Sequence, residues 1–171
     1  MQCKERRPLF FISRDKEWEL IQKLLGIVDD SNFDPDTTAV IMASPDYSAT
    51  VAMHLAHAWS RKGESLTIIP VDVTFPDEYC DPYIKKMVSQ GPEILKYSKL
   101  VLVEAGIIRG GNWKWMLEVL YSLGYKRDDI TLVALCENKH SQIKSDYVGE
   151  YFDDSKEELM FYFERFNNHW V

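Results

Sequence analysis

The sequence predicts an α/β protein, a mainly parallel twisted sheet flanked by helices. Three observations carry that expectation. Short apolar runs rich in β-branched residues recur at TAVIMA (38–43), SLTIIPV (65–71), KLVLVEA (99–105) and DITLVALCE (129–137). Runs apolar at consecutive positions are what a strand covered on both faces requires. Segments with helical apolar spacing lie between them, of about 10 to 15 residues, long enough to cross from one parallel strand to the next. The 171 residues, 46% hydrophobic and 27% charged, suit one domain, 1–171, with a substantial core.

Each element follows in order. Asp15 can cap a helix running to about Val28, with Trp18, Ile21, Leu24, Leu25 and Val28 on one apolar face. DDSNFDPDT (29–37) is a loop into the strand 38–43, and SPDYS (44–48) turns the chain. A helix follows to about Lys62, with Val51, Leu55, Ala58 and Trp59 inward, and Gly63 ends it. After the strand at 65–71, DVTFPDEYCDPY (72–83) carries two prolines and four acids and is irregular. Residues 83–90 are helical in pattern, and Gly91-Pro92 stops them. KLVLVEA (99–105) is the clearest strand. Asn112 can cap a helix to about Leu123, closed by Gly124. Residues 129–137 form another strand. An aromatic tail, LMFYFERFNNHWV, alternates in part like a strand. No internal repeat or low-complexity tract is present.

A net charge of −7 argues against general nucleic-acid or anionic-membrane binding, so any anion site is local. No apolar run approaches the roughly 20 residues of a membrane helix. The N-terminal apolar patch, about four residues, is too short for a signal-peptide core. Cys3, Cys80 and Cys136 are far apart and form no CxxC pair. Reduced thiols in a cytoplasmic protein are expected.

Ligands on parallel sheets sit beyond the C-terminal strand ends, where three loops are expected: 44–48, 72–82 and 105–111. The last holds Gly110-Gly111 before a helix. Backbone N–H groups in such a turn can converge on an anion, and the helix N-terminus adds partial positive charge. Arg109 can supply a charge-assisted bond and Asn112 a side-chain amide donor. A plain strand-to-helix turn would use the same glycines.

The run VLVEAGIIRGGNWKWMLEVLYSLGYKRDDITLVAL resembles the signature of the type I phosphoribosyltransferase family, of the purine and xanthine-hypoxanthine kind: a strand ending in two acids, a phosphate turn, a helix, then a further strand. KSDYVGEYFDD (144–154) is similar to that family's "Lys-Pro-Asp-Phe-Val-Gly" segment, which covers the base. TAVIMASPDYSATVAMHLAHAW resembles its earlier strand, diphosphate loop and helix. The resemblance spans about residues 38 to 163. It implies a small hood, from the segment 72–98 and/or the C-terminal tail, a homodimer, and Mg²⁺ with an active enzyme of purine salvage. It also implies site roles: Glu104 for ribose hydroxyls and metal; Arg109, Gly110, Gly111 and Asn112 for the 5′-phosphate; Lys139 for the purine's exocyclic oxygen; Tyr147 and Val148 for the base.

The departures from the pattern fall on chemistry. Ala105 replaces the second acid, and Ile108 stands where the family has an acid at the base's N7 proton. Losing such help costs on the order of 10²–10⁴ in rate. The diphosphate loop SPDYS has Asp46 and no Lys or Arg. Two readings follow. One is a phosphoribosyltransferase-like protein that binds a nucleotide or phosphoribosyl ligand and is catalytically impaired. The other is an active purine phosphoribosyltransferase making a nucleoside monophosphate and diphosphate from phosphoribosyl diphosphate and a 6-oxopurine.

Other residues take milder readings. His54 and His57 share a helix face without zinc ligands nearby in sequence and suit a polar or interface face. His140 suits a surface loop. Cys136 suits the core. Of Trp113 and Trp115, at most one can face the interior, and the other suits a dimer contact. Asp72, Tyr79 and Tyr83 lie where the family's hood closes. The aromatic tail suits core packing or a subunit contact more than base stacking.

Overall fold

A computed structural model describes residues 7–43, 45–60, 64–71 and 91–162. The elements are β1 (Leu9–Ile12), α1 (Arg14–Ile27), β2 (Thr38–Ala43), α2 (Pro45–Ala58), β3 (Thr67–Val71), α3 (Gly91–Ile94), β4 (Lys99–Ile107), α4 (Gly111–Ser122), β5 (Ile130–Asn138), β6 (Tyr147–Phe152) and β7 (Glu158–Phe161). Five strands form one sheet in the order β3-β2-β4-β5-β6, and every neighbouring pair is parallel. The expected α/β class with a parallel sheet is what the chain forms. Among the described residues no helix is long and apolar enough to cross a membrane.

The sheet is covered on both faces. One apolar cluster joins Leu20, Ile21 and Leu24 of α1 with Val51 and Leu55 of α2, against Val101 and Val103 of β4. The other joins Met116 and Leu120 of α4 with Leu100 and Leu102 of β4 and Leu132 of β5. Burial on two faces explains why β2, β4 and β5 read as continuous apolar runs.

The remaining strands, β1 and β7, pair in parallel as a separate two-stranded ribbon. It rests on β4: a Cβ at Gly106 would lie 2.8 Å from Leu159 Cδ2 and 3.2 Å from Phe161 Cε2. A side chain at position 106 would force Leu159 and Phe161 to shift. Of the expected hood from 72–98 and/or the C-terminal tail, the tail supplies β7, which pairs with β1 from the N-terminus, and residues 72–90 lie outside the described residues. β1 is four residues long, too short for its pattern to stand out in the sequence.

Several boundaries differ from expectation for identifiable reasons. The cap of α1 is Ser13, whose Oγ accepts from Lys16 N at 3.1 Å, and not Asp15. Trp18 is half exposed, while Glu17 takes a place on the buried face. Ala58 is exposed, and Ala52 and Ala56 face inward instead. Gly91-Pro92 open a short helical turn; the helix expected over 83–90, the loop 72–82 and Gly63 lie outside the described residues. Gly110, in the left-handed conformation at φ 80°, is the residue before α4, so Asn112 lies inside the helix and is not its cap. β4 runs to Ile107, so Glu104 lies within the strand and does not end it.

Candidate functional site

Glu104 sits near the C-terminal end of the central strand, between the first turns of two helices on opposite faces of the sheet. From α2, Ser48 Oγ donates to Glu104 Oε2 at 3.0 Å and accepts from Ala105 N at 3.1 Å. From α4, Asn112 Nδ2 donates to Glu104 Oε1 at 2.9 Å. The residue is 2% exposed. The Ser48 hydroxyl and the Asn112 amide give the buried carboxyl hydrogen-bond donors in place of water. Ala105 beside it is buried among apolar residues.

Beyond β4, residues 108–110 make the turn. Ile108 and Arg109 are exposed. The two glycines differ in surroundings. A Cβ at Gly110 would fall 2.8 Å from Ser141 Oγ and 2.9 Å from Ile143 N, whereas a Cβ at Gly111 would meet nothing within 4 Å. Gly110 is thus pressed against the loop after β5, and Gly111 faces open space where an anion can approach the first amides of α4. Trp113 does not fill that space: it is buried in the core under α4, and its Nε1 donates to Ser145 Oγ at 3.0 Å. Trp115 is the exposed one of the pair. Asn112, expected as a phosphate donor, already commits one amide hydrogen to Glu104.

The loop 139–146 descends from β5 to β6. Its first residue, Lys139, is exposed, with its backbone N donating to the Phe152 carbonyl at 2.8 Å. Beneath it, Glu137 is fully buried; Oε2 accepts from Ser145 N at 2.8 Å, and Oε1 lies 3.4 Å from Lys144 Nζ. Lys144 Nζ also donates to the Lys139 carbonyl at 2.8 Å. His140, exposed as expected of a loop histidine, lies 3.4 Å from Asp153. The Ser155 hydroxyl and Lys156 hold the Asp153 carboxyl well below the usual carboxylate range. Tyr147 and Val148 open β6. The Tyr147 ring is half buried against the α1–α2 core, its oxygen accepts from Asp29 N at 3.4 Å, and Val148 is buried.

Among the described residues no group of three or more His, Cys, Asp or Glu side chains is placed to hold a metal. Glu104, the carboxylate that the resemblance offers to Mg²⁺, has both oxygens engaged. These residues alone do not fit a protein-held Mg²⁺. His54 instead meets Trp18 edge-on, with ring centroids 5.1 Å apart. Cys136 is buried at the end of β5, and burial pushes its thiol up. Ser48, Glu137, Asn138 and Ser145 carry structural bonds that sequence reasoning did not single out. The pattern gave no sign of them, since each bond joins residues from different elements.

No family model matches the chain, and no curated protein does. Solved structures do. A purine phosphoribosyltransferase from Pyrococcus horikoshii superposes with a TM-score of 0.61 at 16% identity, covering 88% of this chain and 90% of that one. The xanthine-guanine-hypoxanthine phosphoribosyltransferase of Helicobacter pylori gives 0.62 at 12% identity, covering 93% and 94%. The chain has the phosphoribosyltransferase fold. A hypothetical protein from Neisseria gonorrhoeae with bound ppGpp gives a TM-score of 0.70 at 14% identity, covering 94% and 92%. Within the phosphoribosyltransferase fold, Glu104, the 108–111 turn and Lys139 all lie at the C-terminal end of the sheet, where parallel α/β proteins bind ligands.

Proposed function

We propose that this chain binds a purine nucleotide or related phosphoribosyl ligand across the ends of β4 and β5 and is impaired in phosphoribosyl transfer. One observation carries the proposal: Glu104 is buried with both oxygens accepting from Ser48 and Asn112, while the anion-facing turn at Gly111 is open. Among the described residues nothing lies within 4 Å of where a Gly111 side chain would begin, whereas the acid that would hold ribose and metal is engaged. Ala105 and Ile108 add no proton-handling group beside it. In this reading Arg109 and the amides of 110–112 take the phosphate, and Lys139 takes the purine oxygen. Tyr147 and Val148 support the scaffold, and Mg²⁺ has no role. That a neighbour of the same fold carries ppGpp, a guanine nucleotide, supports a nucleotide as the ligand class.

The homodimer belongs to the same proposal. Trp115 and Tyr121, both exposed on α4, are apolar side chains that a partner would cover, and sedimentation at micromolar concentration tests it. The ligand reading is tested by calorimetry with GMP, IMP and ppGpp, beside an assay of diphosphate release from phosphoribosyl diphosphate with hypoxanthine, guanine or xanthine. Binding of at least one nucleotide is expected, with no release above the protein-free rate. Diphosphate release with any base would establish the active-enzyme alternative. Absence of binding to every nucleotide would leave a scaffold only.

A further inference from the structure

Asn138, the last residue of β5, reaches three loops at once. Its Nδ2 donates to the Ile108 carbonyl at 2.8 Å, and its Oδ1 accepts from His140 N at 3.1 Å and from Asp154 N at 3.4 Å. Its own carbonyl accepts from Ser141 N at 3.0 Å and from Lys144 Nζ at 3.2 Å. The residue is buried. The amide has one acceptable orientation, because a flip would set NH₂ against two N–H groups and oxygen against a carbonyl.

Two more contacts join the same turns. Gln142 N donates to the Arg109 carbonyl at 3.3 Å, and Gly110 lies against Ser141 and Ile143. The turn 108–110, which leads into the phosphate cradle, and the turn 139–143, which presents Lys139, are therefore bonded to each other. Neither can shift without breaking the bond from Asn138.

We propose that Asn138 is a positioning residue that couples the two ends of the ligand site. An anion in the cradle at 109–112 orders the first turn, and through Asn138 it also orders the turn carrying Lys139. A purine then binds to an already ordered loop and loses less conformational freedom. The coupling is reciprocal by linkage. The inference rests on the ligand reading proposed above.

Two measurements test it on the full chain, with Asn138→Asp. This variant keeps an acceptor towards His140 and Asp154 and sets an oxygen against the Ile108 carbonyl. Hydrogen exchange on the free protein should quicken at the Gln142 amide and remain unchanged along β4. Unchanged exchange at Gln142 overturns the mechanical link. Guanosine is then titrated with and without saturating inorganic phosphate. In the original chain phosphate should raise guanosine affinity on the order of 5- to 10-fold. In the variant that gain should fall towards one. The same gain in both proteins overturns the coupling and leaves the ligand reading standing. If the original chain binds neither probe, the ligand reading falls and the coupling with it. Should Asn138→Asp fail to fold, Asn138→Ser, which shortens the side chain without adding a charge, serves in both measurements with the same expected outcomes.

Discussion

The ends of β4 and β5 lie side by side, and each carries a buried glutamate beneath an exposed cation, Glu104 below Arg109 and Glu137 below Lys139. Their partners differ in kind. Glu104 accepts from two neutral side chains, Ser48 and Asn112, drawn from two helices. Glu137 accepts from a backbone amide, Ser145 N, and pairs with Lys144, which also holds the Lys139 carbonyl. Hydroxyl and amide donors can be traded for other hydroxyls at modest cost, because a neutral hydrogen bond is worth about 0.5–1.5 kcal/mol net. A buried carboxylate tied to a backbone N–H cannot be released without stranding that donor. The β4 end is therefore the half held by exchangeable side chains, and the β5 end is the wall anchored through a backbone donor.

The largest test addresses the wall. Trp113 spans from α4 to Ser145 and is fully buried. Trp113→Ala should lower stability by about 3–5 kcal/mol in chemical denaturation; a loss under about 1 kcal/mol would mean that Trp113 does not anchor α4 to the loop before β6. Next, the two glycines should separate. Gly110→Ala meets both left-handed backbone strain, about 1–2 kcal/mol, and the clash with Ser141 and Ile143. Gly111→Ala should stay within about 0.5 kcal/mol of the original stability yet weaken nucleotide binding, because its methyl would occupy the open cradle. Equal stability losses for the two would erase the distinction between a packed and an open face of the turn.

A smaller effect is expected at Arg109, which is exposed. Arg109→Ala should reduce GMP affinity about tenfold without moving the melting temperature. Unchanged affinity would shift the phosphate elsewhere. The smallest effect concerns a third buried glutamate, Glu17 on α1, where burial outweighs the attraction of Arg14. Burial raises its pKa above the ordinary carboxylate value, while the Tyr162 hydroxyl bonded to it pulls the other way. The folded state thus holds this proton more tightly than the unfolded chain does. The associated stability is fully present below pH 4.5 and is lost as pH rises through the raised value. Glu17→Gln should therefore raise the melting temperature at pH 7 by on the order of 2–4 °C, with the gain vanishing in acid. A gain that persists unchanged at pH 4 would show that it has another origin.

Much of the sheet was legible in the sequence because burial on both faces writes a continuous apolar run in β2, β4 and β5; the edge strand β3, whose exposure alternates, was legible from Ile68, Ile69 and Val71. The strand β1 was not legible: four residues with one fully buried side chain, Ile12, leave too little pattern. The helix starts were misplaced for a chemical reason. Asp and Asn are good caps, but Ser13 precedes Asp15, and Gly110 already supplies the left-handed turn that Asn112 would otherwise have bounded. The turn at Gly110-Gly111 was legible as a candidate anion site because strand, glycines and helix follow one another locally. The engagement of Glu104 was not, since Ser48 lies 56 positions away and meets it only once α2 has docked.

The pairing of Leu9 with Glu158 and of Ile12 with Phe161 has a consequence for how the molecule is made. Translation delivers all five strands of the main sheet before β7 leaves the ribosome. Until then β1 has no neighbour, its edge is open, and Gly106 lies uncovered. The ribbon is a late, long-range closure, of the slow kind that high sequence separation imposes. A chain clipped before β7 would lose the partner of β1 and the side chains of Leu159 and Phe161 that cover Gly106.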